Sequence, residues 1–441
     1  MYYFRVDGNA DIGMGHIMRC LSIAEEARRH GIQSVFILSD DILHNLVTDR
    51  GHQVVVLNTF YNVMGEQDEM EGIQRAIKGN KPTALIVDSY FVTDEYLTKL
   101  KYTCNESLTS LVYIDDLVKS GYPCDILIDY NIYGDQYESD YKALYGAHPP
   151  YFILGAKFTP LRYEFNGIPN RITRRVGKRI LVSTGGSGYA DLTKEIIMEA
   201  GESEDGYNFD IIVGNLNKDF NEIQSAASQY KNIEIYRDVK NMSELMKSSD
   251  VAISAAGSTL YELCATQTPT VTFILADNQK SGAECFDQEG IMEYCGDVRE
   301  LGTKVLAEKL VSRAIELCEN YDKREMISAK QRLVVDGHGA NRIIENIRQY
   351  SYSYYSFRRR NGLRGLQKYL IMGHEVWFDY SLFEHGIVGA VPDDELLDIH
   401  NDEEYKFIYD VFCTKHDYEK IGNVDMGKYS ELVRRYQERY C

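Results

Sequence analysis

Three short blocks of this chain combine glycine with groups able to move a proton or hold an anion. The first, DGNADIGMGHIMRC (7–20), follows directly on an apolar run, YYFRVD (2–7). Gly13 and Gly15 let the backbone turn sharply from strand to helix. That geometry aims free N–H groups and the positive helix end at whatever lies over the loop. His16 stands at the helix start, where a neutral imidazole is favoured, and a neutral ring facing a cleft can take a proton from water or a hydroxyl. The plainer alternative is a helix-terminal histidine bonded to a backbone carbonyl, with Arg19 in a surface ion pair worth little. In that case Asp7 or Asp88, at strand ends, are the next candidates for a base.

The second block, STGGSGYADLT (183–193), is again strand, glycines, then helix. Gly185, Gly186 and Ser187 can present amides to a diphosphate, although glycines are common at such turns. The third, AISAAGSTLYELCATQTPTVTFILADNQ (252–279), is more specific. Small residues allow close approach, and Ser258 and Thr259 sit at a helix start, where they either meet phosphate oxygens or simply cap. Glu262, one turn in, can accept two ribose hydroxyl protons or act in a capping box. Asn278 and Gln279 follow the next strand at the same sheet edge, where amide side chains suit sugar hydroxyls or form a plain turn.

Several chemistries fit poorly. A dinucleotide fingerprint needs a third glycine where Met18 stands, although Asp40 and Asp41 could imitate its ribose-binding acid. His16, His30, His44 and His52 are scattered without H-x-x-x-H spacing or a C-x-x-C pair, so no metal and no cofactor is expected. Ser187 lacks the glycine spacing of a nucleophile elbow. The net charge of −19 disfavours nucleic acid, which is tracked by basic surface. No run of eighteen apolar residues suggests a membrane span and no leader is apparent. With nine cysteines, among them Cys20, Cys104, Cys264 and Cys318 in apolar or helical stretches, a reduced, cytoplasmic protein is expected.

These blocks need rigid elements to position them, and the pattern supplies two sets. SVFIL (34–38), VVVL (54–57), ALIVD (84–88), LVYID (111–115) and ILID (126–129) are short buried-strand runs separated by helical stretches, as in a parallel sheet covered on both faces. After a basic stretch, NGIPNRITRRVGKR (166–179), the pattern restarts with RILVS (179–183), FDIIV (209–213), IEIY (233–236), VAIS (251–254) and TVTFIL (270–275). With 441 residues, the chain suits two doubly wound domains facing a cleft, over 1–165 and 178–335. A closing helix is expected over 336–350. Residues 351–441 read as a mainly helical appendage, which could contact another protein.

Taken together, DGNADIGMGHIMRCLSIA, VDSY (87–90), IDD (114–116), DYN (129–131), FTPLRYEF (158–165), STGGS, SAAGSTLYEL, ADNQ and VDGHGANRI (335–343) resemble the UDP-2,4-diacetamido-2,4,6-trideoxy-β-L-altropyranose hydrolase family of pseudaminic acid biosynthesis. Spore-coat polysaccharide proteins are among its relatives, and the second domain is more distantly similar to the N-acetylglucosaminyltransferase of peptidoglycan synthesis. The resemblance runs to about residue 348. It implies an α/β, GT-B-like fold and metal-independent, inverting hydrolysis of a UDP-sugar, with His16 activating water. Gly185, Gly186, Ser187, Ser258 and Thr259 would then face the diphosphate, Glu262 the ribose, and Asn278 and Gln279 the sugar. Asp7, Gly13, Gly15, Arg19, Tyr90, Asn131 and Arg162 match positions on the first domain's side of the cleft. Two features depart from the pattern: Gly188 replaces a frequent acid, and the tail has no counterpart in the core family. RRNGLR (359–364) ends in Arg364 where an acetyl-CoA loop needs a small residue. A glycosyltransferase on the same fold, or a non-catalytic nucleotide-sugar-binding protein, would use the same motifs.

Overall fold

Strand β1 (Tyr2–Val6) is buried along its whole length, the expected state of a parallel strand covered on both faces. Around it the computed structural model describes residues 1–9, 12–80, 82–107, 109–146, 149–185, 189–203, 206–214, 217–361, 366–371 and 374–379. Two compact units result, residues 1–101 with 111–346, and residues 102–110 with 347–441.

The first unit contains two doubly wound sheets. Its first sheet joins β1 to β2 (Ser34–Leu38), β3 (Gln53–Val56), β4 (Ala84–Asp88), β5 (Ser110–Ile114), β6 (Ile126–Asp129) and β7 (Tyr151–Leu154), in the order β3-β2-β1-β4-β5-β6-β7. The second comprises β8 (Arg179–Ser183), β9 (Asn208–Val213), β10 (Ile233–Arg237), β11 (Val251–Ala255), β12 (Thr270–Ile274) and β13 (Glu293–Asp297), ordered β10-β9-β8-β11-β12-β13. The order reverses between β1 and β4 in one sheet and between β8 and β11 in the other. Such switch points leave a crevice beyond the strand carboxyl ends. Strands β1, β8 and β11, each of which leads into a glycine block, all end there. β7 and β13 escape the sequence pattern because both are short edge strands, and the first two residues of each are only half-buried.

The core of the second sheet packs Ile180, Val182, Phe209, Ile211, Ile253 and Val271 against the helices Ala190–Gly201 and Thr303–Glu319. In the first sheet Arg5 is a fully buried cation within β1. Its Nε donates to Glu69 at 2.8 Å and its Nη1 to Asp7 at 2.5 Å, the pairing that a buried charge requires.

Two of the quoted motifs prove to be one packing device. A Cβ on Gly337, whose φ is +83°, would lie 2.0 Å from the Phe165 carbonyl oxygen, and one on Gly339 would lie 2.1 Å from that of Thr159. VDGHGANRI therefore carries glycines so that its backbone can lie against FTPLRYEF.

The last helix is longer than expected, Gly339–Asn361, and crosses the anticipated boundary at 350 because nothing in SYSYYSFRRR breaks it. The second unit also holds an antiparallel hairpin, β14 (Leu366–Ile371) and β15 (His374–Asp379), which helical spacing did not suggest. Residues 380–441, most of the expected appendage, lie outside the described residues. Cys20, Cys104, Cys264 and Cys318 are buried. Among the described residues no helix is long and apolar enough to cross a membrane.

Candidate functional site

The first switch point brings His16 to Asp88. Val6 of β1 pairs in register with Asp88 of β4, so the loop leaving β1 returns past the end of β4. The helix Gly15–Arg29 then starts directly over Asp88. His16 Nδ1 lies 2.6 Å from Asp88 Oδ1. The Arg19 Nη2 is also near that nitrogen, at 3.1 Å. A carboxylate can only accept, so the shorter contact requires a proton on Nδ1 and leaves Nε2 as the ring's acceptor. Tyr90 meets the His16 ring edge-on, with centroids 4.4 Å apart.

Arg19 is far from a surface cation. Its Nε and Nη2 grip both Asp88 oxygens at 2.5 Å. Its Nη1 donates to Asp116 at 2.8 Å and to the Tyr130 hydroxyl at 2.6 Å. Burial alone would raise the Asp88 pKa, but Arg19 and His16 outweigh it and hold the carboxyl well below its usual range. Asp88 therefore stays ionised beneath the imidazole. Asp116 also receives the Tyr90 hydroxyl at 3.0 Å and Asn131 Nδ2 at 3.2 Å.

A cavity of about 200 Å³ lies between the two switch points. From the first sheet's side Gly15, His16, Arg19, Tyr90, Asp116, Tyr130, Asn131 and Tyr133 line it. From the second side come Gly257, Ser258, Tyr261, Asn278, Gln279 and Phe286. A larger open groove, about 970 Å³, shares Asp116, Tyr133 and Asn278 with it.

Gly13 (φ +75°) and Gly185 (φ +93°) adopt backbone that glycine alone takes freely, at the turns after β1 and β8. Gly186 and Ser187 lie outside the described residues. Ser258 caps the helix Thr259–Ala265 by position, without a side-chain cap bond. Asp7 is turned into the first sheet, held by Arg5 and by the Ser39 amide and hydroxyl at 2.8 Å, and does not line the cavity. Glu262 accepts from Arg162 Nη2 at 2.9 Å, while Arg162 Nη1 holds Glu164 at 2.7 Å. Neither Arg162 nor Glu262 lines the cavity. Burial pushes the Glu262 pKa up, and Arg162 opposes it. Gln279 spends its Oε1 on the Leu275 amide at 2.8 Å.

No sequence pattern assigns a role to Asp116, Tyr130, Tyr133, Tyr261 or Phe286. Asp116 and Tyr130 stand inside IDD and DYN, and Tyr261 inside GSTLYE, so the signal was present but carried no spacing rule. Among the described residues no His, Cys, Asp and Glu group has metal-binding geometry.

Residues 179–336 match the model of the glycosyltransferase family 28 C-terminal domain. Among solved structures, Acinetobacter baumannii MurG superposes with a TM-score of 0.56 at 13% identity, covering 79% of this chain and 99% of MurG. The fold is GT-B. Its homologues include spore coat polysaccharide biosynthesis protein SpsG of Bacillus subtilis, 25% identical over 76% of this chain and 94% of SpsG. UDP-2,4-diacetamido-2,4,6-trideoxy-β-L-altropyranose hydrolase of Campylobacter jejuni is 25% identical over 66% of this chain and 98% of its own length. An uncharacterized protein of Methanocaldococcus jannaschii is 25% identical over 64% of this chain, a match that spans 56% of that protein.

Proposed function

We propose that this GT-B protein hydrolyses a UDP-linked diacetamido-trideoxy sugar at the anomeric C–O bond, in a cytoplasmic pathway to a pseudaminic-acid-type nonulosonate. The observation that carries the reading is the His16–Asp88 pair at 2.6 Å on the cavity wall. An ionised Asp88 beneath Nδ1 keeps Nε2 as acceptor and stabilises the imidazolium once a proton arrives. In the proposed step His16 Nε2 removes a proton from water while the water oxygen bonds to the anomeric carbon. The bond from that carbon to the β-phosphate oxygen breaks, and UDP leaves with the electron pair from the opposite face, inverting the configuration.

UDP needs little protonation to depart when amides and hydroxyls meet its growing charge. Gly185, Gly186, Ser187, Ser258 and Thr259 are assigned to the diphosphate, and Glu262 to the ribose. Asn278, Gln279, Tyr90, Arg19 and Asn131 are assigned to the sugar side. Arg162 holds Glu262 rather than substrate, and Asp7 acts through the loop it anchors. The activity for which the Campylobacter relative is named supports the substrate class.

The family 28 domain match favours one second reading, a transferase in which His16 deprotonates an acceptor hydroxyl. Incubation with UDP-linked diacetamido sugars, followed by NMR for free UDP and free sugar without acceptor, separates the two. Release in water alone is expected. Release only after an acceptor is added would replace hydrolase by transferase, and release under neither condition would leave a binding protein.

A further inference from the structure

Tyr261 belongs to the second sheet's side of the cleft, three residues after Ser258, yet its polar end is engaged by the first. It is buried, and its hydroxyl accepts from the Ile132 amide at 3.1 Å and donates to Asn131 Oδ1 at 3.4 Å. Asn131 Nδ2 donates in turn to Asp116 at 3.2 Å. Asp116 receives Arg19 Nη1 at 2.8 Å, Arg19 grips Asp88 at 2.5 Å, and Asp88 receives His16 Nδ1 at 2.6 Å. A second route is shorter. The Tyr261 ring packs edge-on against Tyr130 at 6.0 Å, and the Tyr130 hydroxyl accepts from Arg19 at 2.6 Å.

The donor and acceptor sense of the chain is fixed. Asp88 and Asp116 can only accept and Arg19 can only donate, so Arg19 is located by where its acceptors stand. Asn131 cannot turn its amide over. Its Nδ2 faces Asp116 and Asp129, and its Oδ1 faces the one hydroxyl supplied from the other side. Removing that hydroxyl leaves Asn131 Oδ1 without its partner, so that the amide is held through Nδ2 alone and Asp116, one of the groups that hold Arg19, loses a fixed neighbour. A network of this kind transmits a displacement because each member has a single satisfied arrangement.

We infer that Tyr261 is a positioning residue for His16, acting through Asn131–Asp116 and Tyr130 on Arg19, so that the base is set only while the two sheets are docked. The inference rests on the reading of His16 as the base. It adds that the half assigned to the nucleotide takes part in orienting the half that does the chemistry. An imidazole poised in this way activates water in the docked cleft and loses its orientation when the halves part.

The test is Tyr261→Phe, which keeps the ring contacts and removes the hydroxyl, with Asn131→Ala breaking the same chain from the other side. The primary readout is the pair of His16 ring nitrogen resonances in full-length, 15N-histidine-labelled protein, assigned by their loss in His16→Gln. Wild type is expected to show a protonated Nδ1 and an unprotonated Nε2, and both variants a shift toward mixed tautomers. Turnover should fall about fivefold in Tyr261→Phe, with KM and UDP affinity unchanged, as for one lost neutral hydrogen bond. A merely structural tyrosine would lower Tm and leave the ring resonances and turnover alone. Resonances that superpose on wild type in either folded variant overturn the inference, as does unchanged turnover in an active protein. The ring readout needs no substrate, so a wild type without hydrolytic activity would refute the functional reading and leave this test standing.

Discussion

The two switch points are alike in topology and opposite in chemistry. At the β1/β4 crevice His16, Arg19, Asp88 and Asp116 form a charged, closely bonded cluster in which Asp88 is fully buried. At the β8/β11 crevice stand Gly185, Gly257 and Ser258, and the Thr184 hydroxyl beside them is spent on Thr193 at 3.0 Å. A carboxylate over one crevice and small neutral groups over the other suit different tasks. The first can move a proton, and the second can let a backbone approach an anion closely. The same doubly wound frame thus presents one charged and one small, neutral surface, and the difference lies in the few residues just beyond the strand ends.

The most direct way to break that comparison is His16→Ala. Loss of a general base is typically worth about 10²–10⁴ in rate, so release of UDP from the sugar should nearly stop. UDP affinity, measured by calorimetry, should hardly change, because nucleotide binding is assigned to the other crevice. A variant that keeps more than about a tenth of the rate would reduce His16 to a structural cap.

Asp88→Asn is the next step down. Asn would still offer one oxygen to Arg19, but its amide can donate to Nδ1, which then becomes the acceptor and leaves Nε2 protonated. The base would be held in the wrong tautomer, at a cost of about 10² in turnover with little change in KM. Equal losses in UDP affinity would show that the two crevices do not divide the work.

Most of the frame was readable in the sequence, because buried parallel strands announce themselves as short β-branched runs. The exceptions were β7 and β13, whose edges carry half-exposed residues and blur that signal. His16, Ser258 and Glu262 stood out through local glycine and capping patterns. The local sequence marks Asp88 only as an alternative base, and Asp116 only as the end of the IDD strand motif. Their roles come from the pairing of β1 with β4 and from Arg19, which connects residues 69 and 97 positions apart. No local spacing encodes such contacts. Arg19 was undervalued for the same reason, since a helical arginine next to a glycine loop looks solvated until the strands converge beneath it. Asp7 illustrates the reverse: a residue type suited to ligand binding is found bonded to Arg5.

Glu262 sharpens the receptive side. Glu262→Ala should weaken UDP binding by about ten- to a hundredfold, the loss expected when ribose hydroxyls lose a charged acceptor worth about 1.5–3 kcal/mol. Turnover at saturating substrate should stay close to wild type. The measurement is calorimetric, on protein whose Tm is checked, because Arg162 loses a partner as well. Unchanged UDP affinity in a folded variant would remove the ribose from this side of the cleft.

The smallest expected effect concerns pH, and it too belongs to the first sheet. Asp129 ends β6 in a fully buried position, and burial raises its pKa to about 7 from the ordinary 3.8. Asn131 donates to it from its amide at 3.0 Å and from Nδ2 at 2.8 Å, which opposes the shift without cancelling it. Tyr141 bridges Asp129 and Asp115 at 3.2 and 3.0 Å, and no cation is bonded to either among the described residues. Between pH 3.8 and about 7 the native protein keeps a proton that the unfolded chain has released. Folding stability therefore falls as pH rises through that window and levels off above it. Asp129→Asn removes the dependence. Its oxygen can still accept from Asn131, and its amide can donate to the Tyr141 hydroxyl, which donates onward to Asp115. The variant should match wild type near pH 4 and gain about 2 °C in Tm by pH 8. A Tm difference that is constant across that range would mean that Asp129 is already ionised at low pH. The buried end of β6 would then need a cation that Asn131 and Tyr141 do not provide.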